Sequence, residues 1–181
     1  MEMPAMAIWE ISFDPDTFQW IVLPDGVDDG TVSNNWFQGT PVGSAWTPLA
    51  IELSSTGLPG DFPSLGGTPL VFSQRAVRIL WPLIAHCVEV LPVTCSTEAL
   101  AIVNVTKVLD CLDHSQSHLK RFSDGQRIMR VEKYVFRKPC IDQAHIFKIP
   151  EQIRNRHYVS DIFKATVEGN NLRGMLFHQI A

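Results

Sequence analysis

One stretch, Ser73 to Leu109, restricts the fold more than any other. A helical period of apolar residues gives way there to two strand-like runs. Ser73 is a good N-cap, because its hydroxyl can accept a backbone N–H of the first helical turn. Position 76 is Ala rather than Glu or Gln, so no capping box forms. Ala76, Val77, Leu80, Trp81, Ile84 and Cys87 recur at helical spacing, with Gln74, Arg75 and Arg78 on the other side. Pro82 lacks an N–H and crowds the preceding turn, which predicts a kink or break near Trp81. Val88-Glu89-Val90-Leu91 then reads as a strand closed by Pro92. Leu100 to Leu109 is apolar on both faces and rich in β-branched residues, as in a strand buried on both sides. The short segment Thr94 to Ala99 makes the pair an antiparallel hairpin. This is a mixed α and β core, and it holds no set of residues that a reaction would need.

The flanking chain extends this pattern. Residues 8 to 13 and 18 to 23 read as strands joined by the turn Asp14-Pro15-Asp16. Residues 25 to 44 form a long loop with Asp25, Asp28, Asp29, Trp36 and Phe37, and a loop of that length in a compact domain is commonly functional. Residues 47 to 53 resume a strand pattern, and residues 54 to 69 form a second loop. Residues 110 to 127 are polar and read as loop. Further strands are expected at 128–137, 144–149 and 172–180. A short helix is expected after Ser160, with Gly169 just beyond its end. The expected fold is a single α+β domain over residues 1–181, a mainly antiparallel sheet with about two helices. The alternative is a small N-terminal β unit, residues 1–70, packed on an α+β body.

Composition narrows the class. The chain has 181 residues, 45% hydrophobic and 19% charged, with a net charge of −4. That is ordinary for a globular protein and lacks the basic footprint of a nucleic-acid binder. Cys87, Cys95, Cys111 and Cys140 form no C-x-x-C pair and read as reduced thiols of a cytoplasmic protein. No basic segment with an apolar core reads as a signal peptide, and the apolar run from Ile79 to Ala85 is too short to span a bilayer. The expectation is therefore no membrane and no nucleic acid as partners.

The densest set of possible metal ligands is Asp110, Cys111, Asp113, His114 and His118. Its H-x-x-x-H pair lacks the Glu of H-E-x-x-H and does not sit on an amphipathic helix, so it reads as a solvated polar loop. The alternative is a metal-dependent hydrolase built on residues 110–118. Gly60 to Gly67 lacks the Gly-Lys-Ser/Thr of a phosphate loop, and no G-x-S-x-G occurs. No catalytic residue, metal or cofactor is assigned. Trp9, Trp20 and Trp81 sit in apolar patterns and read as core. Trp36 and Trp46 read as loop residues folded back on the core or as binding anchors.

A collinear series of short strings carries a resemblance. It runs Gly39-Thr-Pro-Val-Gly43, Trp46-Thr-Pro-Leu49, Gly60-Asp-Phe-Pro63, Phe72-Ser with Arg75-Ala76, Glu89-Val-Leu-Pro92, Val103-Asn-Val-Thr106 and Cys111-Leu-Asp113. It continues with Tyr134-Val-Phe136, Ile146-Phe-Lys-Ile-Pro150, Val159-Ser-Asp161 with Phe163, and Leu172-Arg-Gly174 with Phe177. The series resembles immunity family eleven of bacterial polymorphic toxin systems, formerly a domain of unknown function. The resemblance implies a cytoplasmic, non-enzymatic protein that binds and occludes a cognate toxin domain, and it brings no catalytic residues. The strings read as fold-determining, which leaves partner contacts to loops outside them. The expected partner-binding residues are Asp14, Asp16, Asp25, Asp28, Asp29, Trp36 and Phe37, carboxylates for steering and aromatics for anchoring.

Overall fold

A computed structural model describes residues 7–27, 37–66, 69–141 and 144–181. In chain order the strands begin with β1 (Ile8–Phe13), β2 (Ile21–Val22), β3 (Leu49–Ala50), β4 (Glu52–Leu53) and β5 (Leu70–Ser73). Helix α1 (Gln74–Ile84) leads to β6 (Val88–Thr94), β7 (Leu100–Val105), β8 (His118–Arg121) and β9 (Ile128–Lys133). One turn of helix, α2 (Lys138–Ile141), precedes β10 (Ile146–Phe147) and β11 (Tyr158–Ser160). Helix α3 (Asp161–Gly169) and β12 (Met175–Gln179) close the chain.

The architecture is α+β, with the strands in mostly antiparallel sheets. One four-stranded sheet has the order β10-β11-β1-β12 and another the order β3-β6-β7-β5, while β2–β4 and β8–β9 form two-stranded ribbons. Of the strands before residue 70, β2 and β4 pair with each other, and the others join later strands. β1 pairs with β11 and β12, and β3 pairs in parallel with β6.

The β6–β7 hairpin forms in antiparallel register, Val90 opposite Val103. Every residue of β7 is buried, and the period of two explains how. Val103 and Val105 join Leu70, Phe72, Leu80 and Ile84 in the larger core, between the two four-stranded sheets and the helices. Ile102 faces the other way, joining Val71, Leu91, Ile51, Ile21 and Phe37 in a second core. Pro92 does not end β6. β3 reaches β6 only from Val93 onward, so at Pro92 that side of the strand is an edge, where a missing N–H is tolerated.

Helix α1 starts as its sequence dictates, with Ser73 Oγ accepting from Ala76 N–H at 3.0 Å. Ala76, Val77, Leu80 and Ile84 are buried. The helix runs through Pro82 to Ile84 without a break, since a proline there removes only the bond to the Arg78 carbonyl. Trp81 is 46% exposed, not core. It lies one turn beyond Val77, at the margin of the buried stripe. Ser160 caps α3 by accepting from Phe163 N–H. Gly169 is the last helical residue, and the left-handed position after it belongs to Asn171 (φ 52°).

Two carboxyl-centred junctions, Asp61 buried and Glu89 half-buried, tie distant segments together. Asp61 accepts from Ser73 Oγ at 2.8 Å, Arg75 Nη1 at 3.0 Å and Arg173 N–H at 3.1 Å. Glu89 accepts from Val42 N–H and Gly43 N–H, each at 2.8 Å, and from Asn104 Nδ2 at 3.1 Å. These donors hold its carboxyl below the usual range although partial burial acts against them. Lys148 is a third junction. Its buried ammonium donates to the carbonyls of Phe37 and Ile153.

β9 falls within the strand expected at 128–137, whereas β8 falls where sequence predicts loop. Leu119 is the one β8 residue that packs against the core, so that segment has too few apolar positions to show a strand period.

Candidate partner-binding face

The first strand-turn-strand of the chain carries exposed apolar residues between two acidic turns. Asp14 shapes the turn: its Oδ1 accepts from Asp16 N–H at 3.2 Å and Thr17 N–H at 3.0 Å. Asp16 is exposed. From there the chain passes through Phe18, bridged to Leu58, and Trp20, bridged to Ser64, into β2. Ile21 points into the second core at 6% exposure. Its neighbours therefore point outward, and Trp20 is 39% and Val22 44% exposed. Leu58 is 55% exposed beside Phe18, and Glu52 sits opposite Val22 on β4. The Trp20 backbone is fixed on both sides, its N–H to Ser54 Oγ at 3.2 Å and its carbonyl to Ser54 N–H at 2.9 Å. Asp25 is exposed in the next turn, where Gly26 takes φ +83° and Val27 N–H bonds the Pro24 carbonyl.

Gly57 allows this packing. Its φ is +93°, and a Cβ there would lie 2.7 Å from the backbone of Phe18 and Gln19.

The charge of this region is one-sided. Arg75 is the first basic residue of the chain; no Lys, Arg or His precedes it, and nine carboxylates do. The segment that carries Trp20, Val22 and Leu58 is therefore acidic, while folding brings Arg75 into the hollow lined by Gln19 and Leu53.

Of the seven residues expected to contact a partner, Asp14 and Asp16 lie in the turn before this strip and Asp25 in the turn after it. Asp28, Asp29 and Trp36 lie outside the described residues. Phe37 is 2% exposed and belongs to the second core, edge-on to Trp46 at 6.3 Å. A side chain so buried offers no area to a partner, so Phe37 is a packing residue. Trp46 also folds back, donating Nε1–H to the Pro92 carbonyl at 2.8 Å. Trp20 is the aromatic that sequence reasoning assigned to the core. The signal was present in the alternation, since a core Ile21 turns both of its neighbours outward.

The five possible ligands at 110–118 do not converge. Asp113 Oδ1 takes N–H bonds from Ser115 and Gln116, the Ser115 hydroxyl donates to it as well, and these donors hold its carboxyl low. His114 Nε2 meets Glu151 Oε1. Cys111 is buried in the core, and desolvation pushes its thiol up to about 12. Among the described residues no group of three or more His, Cys, Asp or Glu side chains is placed to hold an ion.

The model of an immunity protein family, Imm11, matches residues 54–181, well over half of the chain. The chain belongs to this immunity protein family. No curated protein matches it. The Asp61 junction lies inside the matched span and joins three of the strings noted in the sequence: Gly60-Asp-Phe-Pro63, Ser73 with Arg75, and Leu172-Arg-Gly174. The Glu89 junction joins Gly39-Thr-Pro-Val-Gly43 to Glu89-Val-Leu-Pro92 and Val103-Asn-Val-Thr106. The strings at these two junctions hold the fold together. Among the described residues no helix is long and apolar enough to cross a membrane.

Proposed function

We propose that this immunity family member neutralises a cognate toxin domain by covering it with the acidic face centred on Trp20. It acts in the cytoplasm and without catalysis. The observation that carries this is the outward-facing strip of Trp20, Val22 and Leu58, set among Asp14, Asp16, Asp25 and Glu52 in a segment with no basic residue before Arg75. An exposed tryptophan on a fixed backbone supplies anchor area at small entropic cost. The carboxylates attract a partner with a basic surface and speed its encounter. Most of the face precedes the residues that the family model matches, so its side chains can be fitted to one partner without disturbing the two carboxyl-centred junctions.

The test is co-expression of the full chain with the toxin encoded beside it. Growth should be rescued by the parent, and lost when Asp14, Asp16 and Asp25 are all changed to Lys in a variant with a parental melting curve. Full rescue by that folded variant would overturn the assignment of this face. Absence of any complex between parent and toxin would overturn toxin binding itself.

A further inference from the structure

The charge left out of the first 74 residues gathers elsewhere. Residues 118–133, the β8–β9 ribbon, carry five Lys or Arg against two Asp or Glu. The ribbon faces the turn Pro150–Gln152 and the residues after it across a cleft of about 830 Å³, lined in part by Phe122, Ile128, Arg127, Glu151 and Arg154. A second hollow adjoins it and adds Met129, Arg130 and Arg156. Phe122 and Met129 are 40% and 45% exposed. The Arg127 guanidinium lies 5.1 Å from the centre of the Phe122 ring, so cation and ring form one surface.

One group in this cleft is unsatisfied. The Glu151 side chain is 5% exposed; Oε1 meets His114, and Oε2 has no hydrogen-bond partner. That oxygen is closed off from the cleft as well as from solvent. The cations nearby are easily recruited. Arg127 pairs with Asp124 and Arg130 with Glu132, with both guanidinium groups largely exposed. Such surface pairs hold weakly and exchange readily for an incoming carboxylate.

We infer that this cleft is a second docking surface and that its occupant is an acidic peptide segment of a protein partner. Such a segment meets each feature at once. Its carboxylates take Arg127 and Arg130, and its apolar side chains cover Phe122 and Met129. A nucleic acid fits worse, because the chain carries a net charge of −4 and the ribbon's small excess of cations falls short of the extended basic footprint such a partner needs. Applied to the toxin, the inference rests on the proposal above: the partner would carry a basic face for Trp20 and an acidic segment for the ribbon.

The experiment needs no toxin, so it fails or succeeds apart from that proposal. Uniformly ¹⁵N-labelled full chain is titrated with a short peptide alternating Asp and Leu, with its Lys-for-Asp counterpart, and with a thymidine oligonucleotide. The acidic peptide should shift amides of 118–133 and 150–156 in a saturable way. Arg127→Glu/Arg130→Glu should weaken that response about tenfold or more. No shift from the acidic peptide, an equal shift from the Lys peptide, or a stronger one from the oligonucleotide would overturn the inference. Concentration-dependent shifts of the ribbon before any peptide is added would assign the cleft to a second copy of the chain and also overturn it.

Discussion

Replacing Lys148 by Met should change how stability depends on pH. The Lys148 ammonium is fully buried and donates to the carbonyls of Phe37 and Ile153. Among the described residues no carboxylate offsets its charge there, and burial lowers its pKa from the ordinary 10.5 to about 8. The unfolded lysine holds its proton to about pH 10.4. Between these values the unfolded chain binds more protons at this position than the folded one, so this residue's contribution to stability rises with pH. Below the folded value both states are protonated and the fold carries the whole desolvation cost. Integrated from about pH 7 to about pH 9.5, the rise is roughly 2 kcal/mol. The thiols of Cys87 and Cys111 act in the opposite sense. Burial keeps them protonated in the fold while unfolded thiols ionise, so they lose stability as pH climbs past about 8.5. The parent curve alone therefore does not isolate the lysine, but the difference between parent and Lys148→Met does. Urea denaturation at the two pH values and equal ionic strength measures it. The variant should lose about 2 kcal/mol relative to the parent over that interval, whatever the offset at neutral pH. At neutral pH two effects oppose: Met removes the buried charge and strips two carbonyls of their donor. An offset that is the same at both pH values would refute a desolvated ammonium at this junction.

Other outcomes follow from the same packing. Asp61→Ala should cost about 2–4 kcal/mol by urea denaturation, because Arg173 N–H and the Ser73 hydroxyl lose their acceptor near the core. Asp61→Asn, which keeps one oxygen, should cost less. Leu80→Ala, at a fully buried position of α1, should cost roughly 2–4 kcal/mol, and a change within experimental error would misplace the helix. Gly57→Ala should destabilise by about 1 kcal/mol or more and broaden the amide signals of Phe18 and Gln19, whose backbone a Cβ would strike.

Local signals were legible in the sequence where one residue type determines one geometry. Ser73 and Ser160 cap helices, and the apolar run through Val103 is buried on both faces with Val90 opposite. Pairings between distant segments were not legible. β1 lies between β11 and β12 because of strands more than a hundred residues away, and no local pattern records that. β9 was legible as a strand, but its partner β8 was hidden for a different reason: it buries little, and a strand that buries little shows no period. At the candidate face the carboxylate turns were readable from Asp14-Pro15-Asp16. Which aromatic is exposed was misread because Phe37 and Trp20 are both large and apolar. What separates them is the inward Ile21 and the Lys148 ammonium that draws the Phe37 carbonyl inside.

Neutralisation through the acidic face is tested most directly by calorimetric titration of the co-encoded toxin domain with the parent chain and with Trp20→Ala. About 100 Å² of the Trp20 side chain is open to a partner, which at the usual coefficient corresponds to roughly 2.5 kcal/mol on burial. The expected result is a tight complex with the parent and a dissociation constant at least about thirtyfold weaker for a folded Trp20→Ala. Equal affinity for the two chains would contradict the claim that this face holds the toxin.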